Sequence, residues 1–244
     1  MAADDSLRPP SGGTPGYREW PSDVPDLVRT CWEAAIGADG AWTVGGAEYW
    51  GLAFTRGPDG RHTAQVVGPA VAPRRMTLRA GERSWGVDLQ PHVFWRGLAK
   101  TDVLDELRDL ATEEVGRCWW FELAGARLAV PSPGELDATV RHLRTLGLLV
   151  DEPVVAAALA GEDVAVPGRS LRRRVLAVTG LRRGQVEQVR RARRAYALLQ
   201  QGATLADAAA EAGYADQSHM TRELRRLAGL TPRQVLNAEN TSMS

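Results

Sequence analysis

Five polar side chains near the C-terminus share a spacing that suits recognition of a base edge. Gln217, Ser218, Thr221, Arg222 and Arg225 fall on one side of a helical repeat whose other side is Met220, Leu224 and Leu227. An amide pairs with adenine, a guanidinium with guanine, and hydroxyls with either, all within a DNA major groove. His219 lies beside them and suits either a DNA contact or packing against the preceding turn. A solvated, Arg-rich surface helix has the same pattern, so the elements around it must decide. Other chemistry finds little support. His62, His92 and His142 stand far apart, with no H-x-H pair to hold a metal, and no local Ser/His/Asp or Cys/His arrangement occurs. The expectation is therefore no catalytic residue, no metal, no cofactor and no enzyme.

The elements that would position those five residues are written on both sides of them. Thr204 can cap a helix whose Leu205, Ala208, Ala209 and Ala212 recur at i, i+3, i+4 and i+7. Gly213 can end it in a left-handed conformation. After a short turn, Asp216 can cap a second helix over 216–227, and the small Ala208 and Ala209 let the two helices cross closely. The spacing predicts a helix-turn-helix. Upstream, Arg183 to Gln201 reads as one helix with Val186, Val189, Ala192, Tyr196 and Leu199 inward and Arg190, Arg191, Arg193 and Arg194 making it basic. About 18 residues at ~1.5 Å each give a rod of roughly 27 Å. That suits two recognition helices in successive major grooves, ~34 Å apart.

Gly213-Tyr214, the run ADQSHMTRELRRLAG and the G-x-T-P motif Gly229-Leu230-Thr231-Pro232 together resemble the second helix-turn-helix of the AraC/XylS family of transcriptional regulators. Thr231-Pro232 also fits an N-cap followed by proline at the first helical position. The resemblance implies a first helix-turn-helix as well, with Val154 to Leu159 as its scaffold and Arg169 to Gly180 as its recognition helix. There Leu171, Val175 and Val178 face inward. Arg169, Arg172 and Arg173 match positions where the family contacts bases or phosphates. Glu162 to Gly168 is longer than the family's turn, and Pro167 stands where a capping Ser is usual, so this unit is expected to add backbone affinity, helped by Arg174. The family further implies double-stranded DNA as partner, RNA polymerase if the protein activates, a small-molecule effector, and a second copy of the chain.

Charge is distributed as phosphate contact requires. The formal net charge is zero. Residues 1–150 hold 16 Arg and Lys against 20 Asp and Glu, 151–168 hold four acids and no base, and 169–244 hold 14 Arg against six acids. All eight Trp precede residue 121. Only Cys31 and Cys118 occur, without a CxxC, which argues against a disulfide framework. No membrane-length apolar run and no signal-peptide pattern is present, so a cytoplasmic protein is expected.

The predicted fold is α+β. Residues 1–16 read as a disordered Pro/Gly/Ser tail, 17–150 as a β-rich effector or dimerisation domain, and 151–239 as the double helix-turn-helix domain with its joining helix. Within 17–150, Asp23 to Ile36 reads as a helix with Cys31 on its buried stripe. Strands are expected around Tyr49–Phe54, Met76–Leu78 and Trp85–Leu89, with turns at Gly57–Gly60 and Ala80–Glu82, giving a small antiparallel unit, a sandwich or open barrel. Family resemblance makes it cupin-like. A helix is expected over Asp102–Leu110, and another after Ser132-Pro133-Gly134-Glu135 with Leu136, Val140, Leu143 and Leu146 inward. Leu148 to Pro153 reads as the domain boundary. Trp42, Trp50, Trp85 and Trp95 either line an aromatic effector pocket or form a Trp-rich core or dimer face.

Overall fold

The structure, a computed structural model, describes residues 16–98 and 103–235. The expected disordered tail, apart from Gly16, lies outside the described residues, as do Asp102 and residues 236–239. The architecture is α+β, with antiparallel sheets first and helices after.

One six-stranded sheet organises the N-terminal part. Its order is β1 (Arg18–Trp20), β2 (Val28–Ala35), β7 (Arg83–Leu89), β4 (Gly51–Arg56), β5 (His62–Val67), β9 (Leu107–Leu110), every pair antiparallel. Alternation divides its two faces. Cys31, Leu52, Phe54, Ala64, Val66, Trp85 and Val87 point to one side, into the main core. That core is closed by β11 (Cys118–Leu123) and β12 (Ala126–Ala129), through Phe121, Leu123 and Leu128, and by helix α1 (Leu136–Thr145), through Leu136, Val140 and Leu143. Trp32, Ala34, Ala53, Gln65 and Val67 point to the other side, which is covered by a separate two-stranded ribbon of β3 (Gly40–Val44) and β6 (Arg74–Leu78).

Four expectations need correction. Asp23 to Ile36 is not a helix but contains strand β2. A β-bulge between Val28 and Thr30 puts both Val28 and Cys31 on the core face, and this three-residue spacing mimics a helical stripe. In place of the helix expected over Asp102–Leu110, residues 103–110 form a turn followed by strand β9. Asp105 takes φ +60° and is held by Pro69 and Val71: its N–H donates to Pro69 O at 2.9 Å and its carboxylate accepts from the Val71 N–H at 2.7 Å. Leu148 to Pro153, expected as the domain boundary, is itself tied into the β part, because β13 (Leu149–Asp151) pairs with β8 (Val93–Trp95). Leu146 caps α1 and is exposed instead of inward. The strands expected at Tyr49–Phe54, Met76–Leu78 and Trp85–Leu89 are present in β4, β6 and β7, and the Ser132 N–H and hydroxyl both donate to Glu135 at the start of α1's leading 3-10 turn.

The C-terminal part holds α2 (Pro153–Ala160), α3 (Gly168–Thr179), α4 (Arg183–Gln200), α5 (Leu205–Ala212) and α6 (Gln217–Ala228). The long α4 buries Val186, Val189, Ala192, Tyr196 and Leu199 as its period requires. Its Arg run is a further correction. Arg193 is buried and makes a two-oxygen pair with the equally buried Glu48, at 2.9 and 2.8 Å. Arg190 reaches Glu48 at 3.3 Å and the Leu159 carbonyl at 2.5 Å. Two of the four arginines thus face the β part rather than open solvent, and Arg193 also lies over the Tyr49 ring.

One short segment of the β part touches three helices at alternate positions. The Gly46 N–H donates to Leu227 O of α6 at 2.7 Å, Glu48 holds α4, and Trp50 Nε1 donates to Val178 O of α3 at 3.1 Å. Among the described residues no helix is long and apolar enough to cross a membrane.

Burial alone would raise the Glu48 pKa, yet the Arg193 and Arg190 guanidiniums outweigh it and hold the carboxyl below its ordinary 4.5. Its contribution to stability is therefore complete above that value and is lost as pH falls through the lower folded-state value. Glu48→Ala, which strands the buried Arg193, should cost ~3–5 kcal/mol in urea unfolding at neutral pH. The paired replacement Glu48→Leu with Arg193→Met should recover most of that loss and should flatten the decline of stability below pH 4.5. A single variant as stable as the parent would contradict this account. Burial first, then Asp137, pushes the Cys31 thiol up to about 12, whereas Cys118 is exposed. Native alkylation at pH 8 should accordingly modify Cys118 and spare Cys31, as peptide mapping would show.

Candidate nucleic-acid interface

The second helix-turn-helix forms as its sequence signals specify. The Thr204 hydroxyl accepts from the Asp207 N–H, and Gly213 closes α5 at φ +80°. The Asp216 carboxylate accepts from the His219 N–H at 2.7 Å, capping α6. Met220, Leu224 and Leu227 are fully buried against Ala208, Ala209 and Ala212, with Val189, Ala192 and Tyr196 of α4 completing the cluster. Beyond α6, the Thr231 N–H and hydroxyl share the Gln234 Oε1, and Pro232 is buried behind them.

This packing fixes which side of α6 meets solvent. Gln217, Ser218, Arg222 and Arg225 are exposed, and Thr221 is half-buried with its hydroxyl donating to Gln217 O. Among the described residues, no carboxylate pairs with Arg222 or Arg225. Arg226, by contrast, is held by Glu223 at 3.0 Å and by Gln188. His219 sits edge-on to Tyr214, with centroids 5.2 Å apart, so its ring braces the turn. Arg191 lies over the other contact surface of the Tyr214 ring and reaches the Gly213 carbonyl, a support that the sequence reading placed only in the basic run of α4.

The first unit is built on the same plan. Leu171, Val175 and Val178 of α3 pack on Val155 and Ala158 of α2. Arg169, Arg172 and Arg173 are exposed along α3. Arg174 is drawn instead to Glu152 at 3.5 Å. No side-chain hydrogen bond caps α3, consistent with Pro167 at that position.

The four tryptophans singled out in the β part do not line one pocket. Trp50, Trp85 and Trp95 fill the main core, with the Trp85 Nε1 donating to Pro131 O at 2.9 Å, because they fall on the core side of their strands or beside it. Trp42 alone of the four lines a cavity, of about 100 Å³, between the other face of the six-stranded sheet and the β3–β6 ribbon. Trp32, Val67, Met76, Leu78 and Leu107 line it as well. Trp32 was missed in sequence because its strand was read as a helix. Among the described residues, no group of three His, Cys, Asp or Glu side chains is placed to hold a metal ion.

Two capped, closely crossed helices with a polar outer face define a helix-turn-helix protein that binds DNA. A family model described as "Helix-turn-helix domain" matches residues 161–238, and this domain supports a DNA-binding transcriptional regulator. No curated protein matches the chain. Among solved structures, ToxT from Vibrio cholerae is similar, with 6% identity, a TM-score of 0.45, and coverage of 91% of this chain and 98% of that one.

The cap on α6 supplies a direct check on this interface. Asp216→Ala removes the acceptor for the His219 N–H and should cost ~0.5–2 kcal/mol of stability. Because it loosens the first turn, it should also weaken binding to every duplex by a similar factor, measured at fixed salt. A loss confined to one base position would show instead that Asp216 touches DNA.

Proposed function

We propose that α6 reads bases in a major groove, with Arg222 and Gln217 carrying direct readout and Ser218, Thr221 and Arg225 flanking them. The supporting observation is that these side chains stand exposed on a helix locked from behind by three fully buried residues. Arg222 suits a guanine and Gln217 an adenine. His219 holds the turn and lies at the rim of the face. On the first unit, Arg169, Arg172 and Arg173 engage the neighbouring groove or its phosphates, and α4 sets the separation of the two units. Residues 17–150 and 151–239 act as two functional units, though β13 joins them by strand pairing. The site of action is the cytoplasm.

For the β part, we infer a small-molecule sensor. The cavity under the β3–β6 ribbon supports this reading, since an interior apolar space with aromatic walls suits a ligand better than a contact surface does. The alternative is a dimerisation or partner-binding module without an effector. The exposed Val115 at the end of β10 (Thr112–Val115) favours that role, as an apolar side chain at the edge of the β10–β11–β12 sheet.

Selection from random duplexes with the full chain should yield a consensus. On it, Arg222→Ala should cost ~1–3 kcal/mol and relax preference at one base position. Equal loss on all sequences would assign Arg222 to a phosphate, and no consensus at all would overturn base reading by α6.

A further inference from the structure

The β3–β6 ribbon has two contacts that no single function explains. On one side it walls the cavity; on the other it abuts the C-terminal end of α6. We propose that the cavity takes an uncharged, single-ring aromatic molecule bearing one hydrogen-bond acceptor, and that the ribbon transmits its occupancy to the recognition helix. This rests on the sensing reading of the β part and gives it a site, a ligand class and a route.

The ligand class follows from the walls. A cavity of about 100 Å³ is smaller than the roughly 150 Å³ that holds a benzene ring in an engineered apolar core. A substituted ring therefore enters only by displacing a wall. One wall is the six-stranded sheet; the other is two strands that, among the described residues, pair with no further strand, and a lone pair yields more readily. The polar groups along the cavity are already engaged: Gln65 donates to Asp109, Ser84 pairs with Thr55, and Arg74 donates to the Glu106 carbonyl. The Trp42 Nε1 is different. It is buried and has no acceptor among the described residues, so a ligand carbonyl or ether would satisfy it. No acid lines the cavity to favour a cation.

The route follows from strand alternation. Trp42 and Val44 face the cavity, so Thr43 between them faces away. There its methyl and the Pro73 ring lie against Gly229, the residue that ends α6. A β-carbon added to Gly229 would sit 3.2 Å from each, and Gly229 holds φ +71°. Two residues past β3, the Gly46 N–H donates to Leu227 O, the last turn of the same helix. An outward shift of Trp42 thus bears on α6 within one residue of the strand. Continuing through Glu48 and Trp50, the segment reaches α4 and α3.

The test uses the full chain, acetophenone as probe, and the duplex selected above. Nuclear magnetic resonance follows the Trp42 indole N–H, assigned by its loss in Trp42→Phe, and hydrogen exchange follows the Gly46 amide. Acetophenone should shift the indole signal saturably, change Gly46 exchange at least tenfold, and change DNA affinity at least fivefold. Ala53→Phe, which fills the cavity from the sheet side, should abolish the indole shift and reproduce the other two changes without ligand. Should that variant not fold, Leu78→Phe fills the cavity from the ribbon side and serves the same purpose. An indole signal that does not move, or that moves equally in the filled variant, overturns the site. A folded, filled variant with parental Gly46 exchange and DNA affinity overturns the route. A different compound that alters DNA affinity without moving Trp42 also overturns this inference, but leaves the sensing reading standing.

Discussion

The buried pair between Glu48 and Arg193 constrains everything else in this protein. An arginine in the middle of α4 is removed from water, and its carboxylate partner Glu48 comes from a loop of the β part 145 residues earlier in sequence. Such a pair stabilises little by comparison with a well-packed apolar contact, because desolvation consumes most of the attraction. What it does is penalise separation. If α4 left the β part, both charges would have to be rehydrated and the Tyr49 ring would lose its guanidinium neighbour. The helix that joins the two helix-turn-helix units is therefore referenced to the sheet.

Around that pair the molecule has two apolar volumes with different characters. The core on one face of the six-stranded sheet is filled by large, fully buried side chains such as Phe54, Trp95 and Leu143. The space on the other face is incompletely filled and covered by a ribbon of its own. The sheet thus has one densely filled face and one looser face, the latter covered by a ribbon that among the described residues pairs with no other strand. Helix α6 meets that looser side through Gly46 and Gly229.

How much of this was legible in sequence depended on the range of the signals. The second helix-turn-helix was readable almost residue by residue, because caps at Thr204 and Asp216, the left-handed Gly213 and the Met220/Leu224/Leu227 stripe are all local. The strands at Tyr49–Phe54 and Trp85–Leu89 were readable for the same reason. Asp23 to Ile36 was not, since a bulge gave a strand the spacing of a helix. Asp105 and β9 were not, since their conformation is imposed by Pro69 and Val71. Strand β10, Thr-Glu-Glu-Val, carried too few apolar residues to stand out. The polarity of Arg193 pointed to solvent, and only the fold reveals the Glu48 that takes it inside. The aromatic pocket was half legible. Trp42 was identified, but three other tryptophans with the same composition signal are core, and which face of a strand a tryptophan occupies depends on pairing register.

The pairing of β13 with β8 bears on how such regulators are recombined. A chimera that joins this β part to another helical domain, or the reverse, is most naturally cut where domains appear to meet, at 148–153. Here that cut removes the hydrogen-bonding partner of Val93–Trp95 and leaves a strand edge open beside the fully buried Trp95. A seam further on, at the exposed Gly161 to Asp163 after α2, keeps that strand pair but parts α2 from the α3 side chains packed on it. Even there, a graft inherits a requirement invisible at the junction: the incoming α4 must bring its own arginine for Glu48.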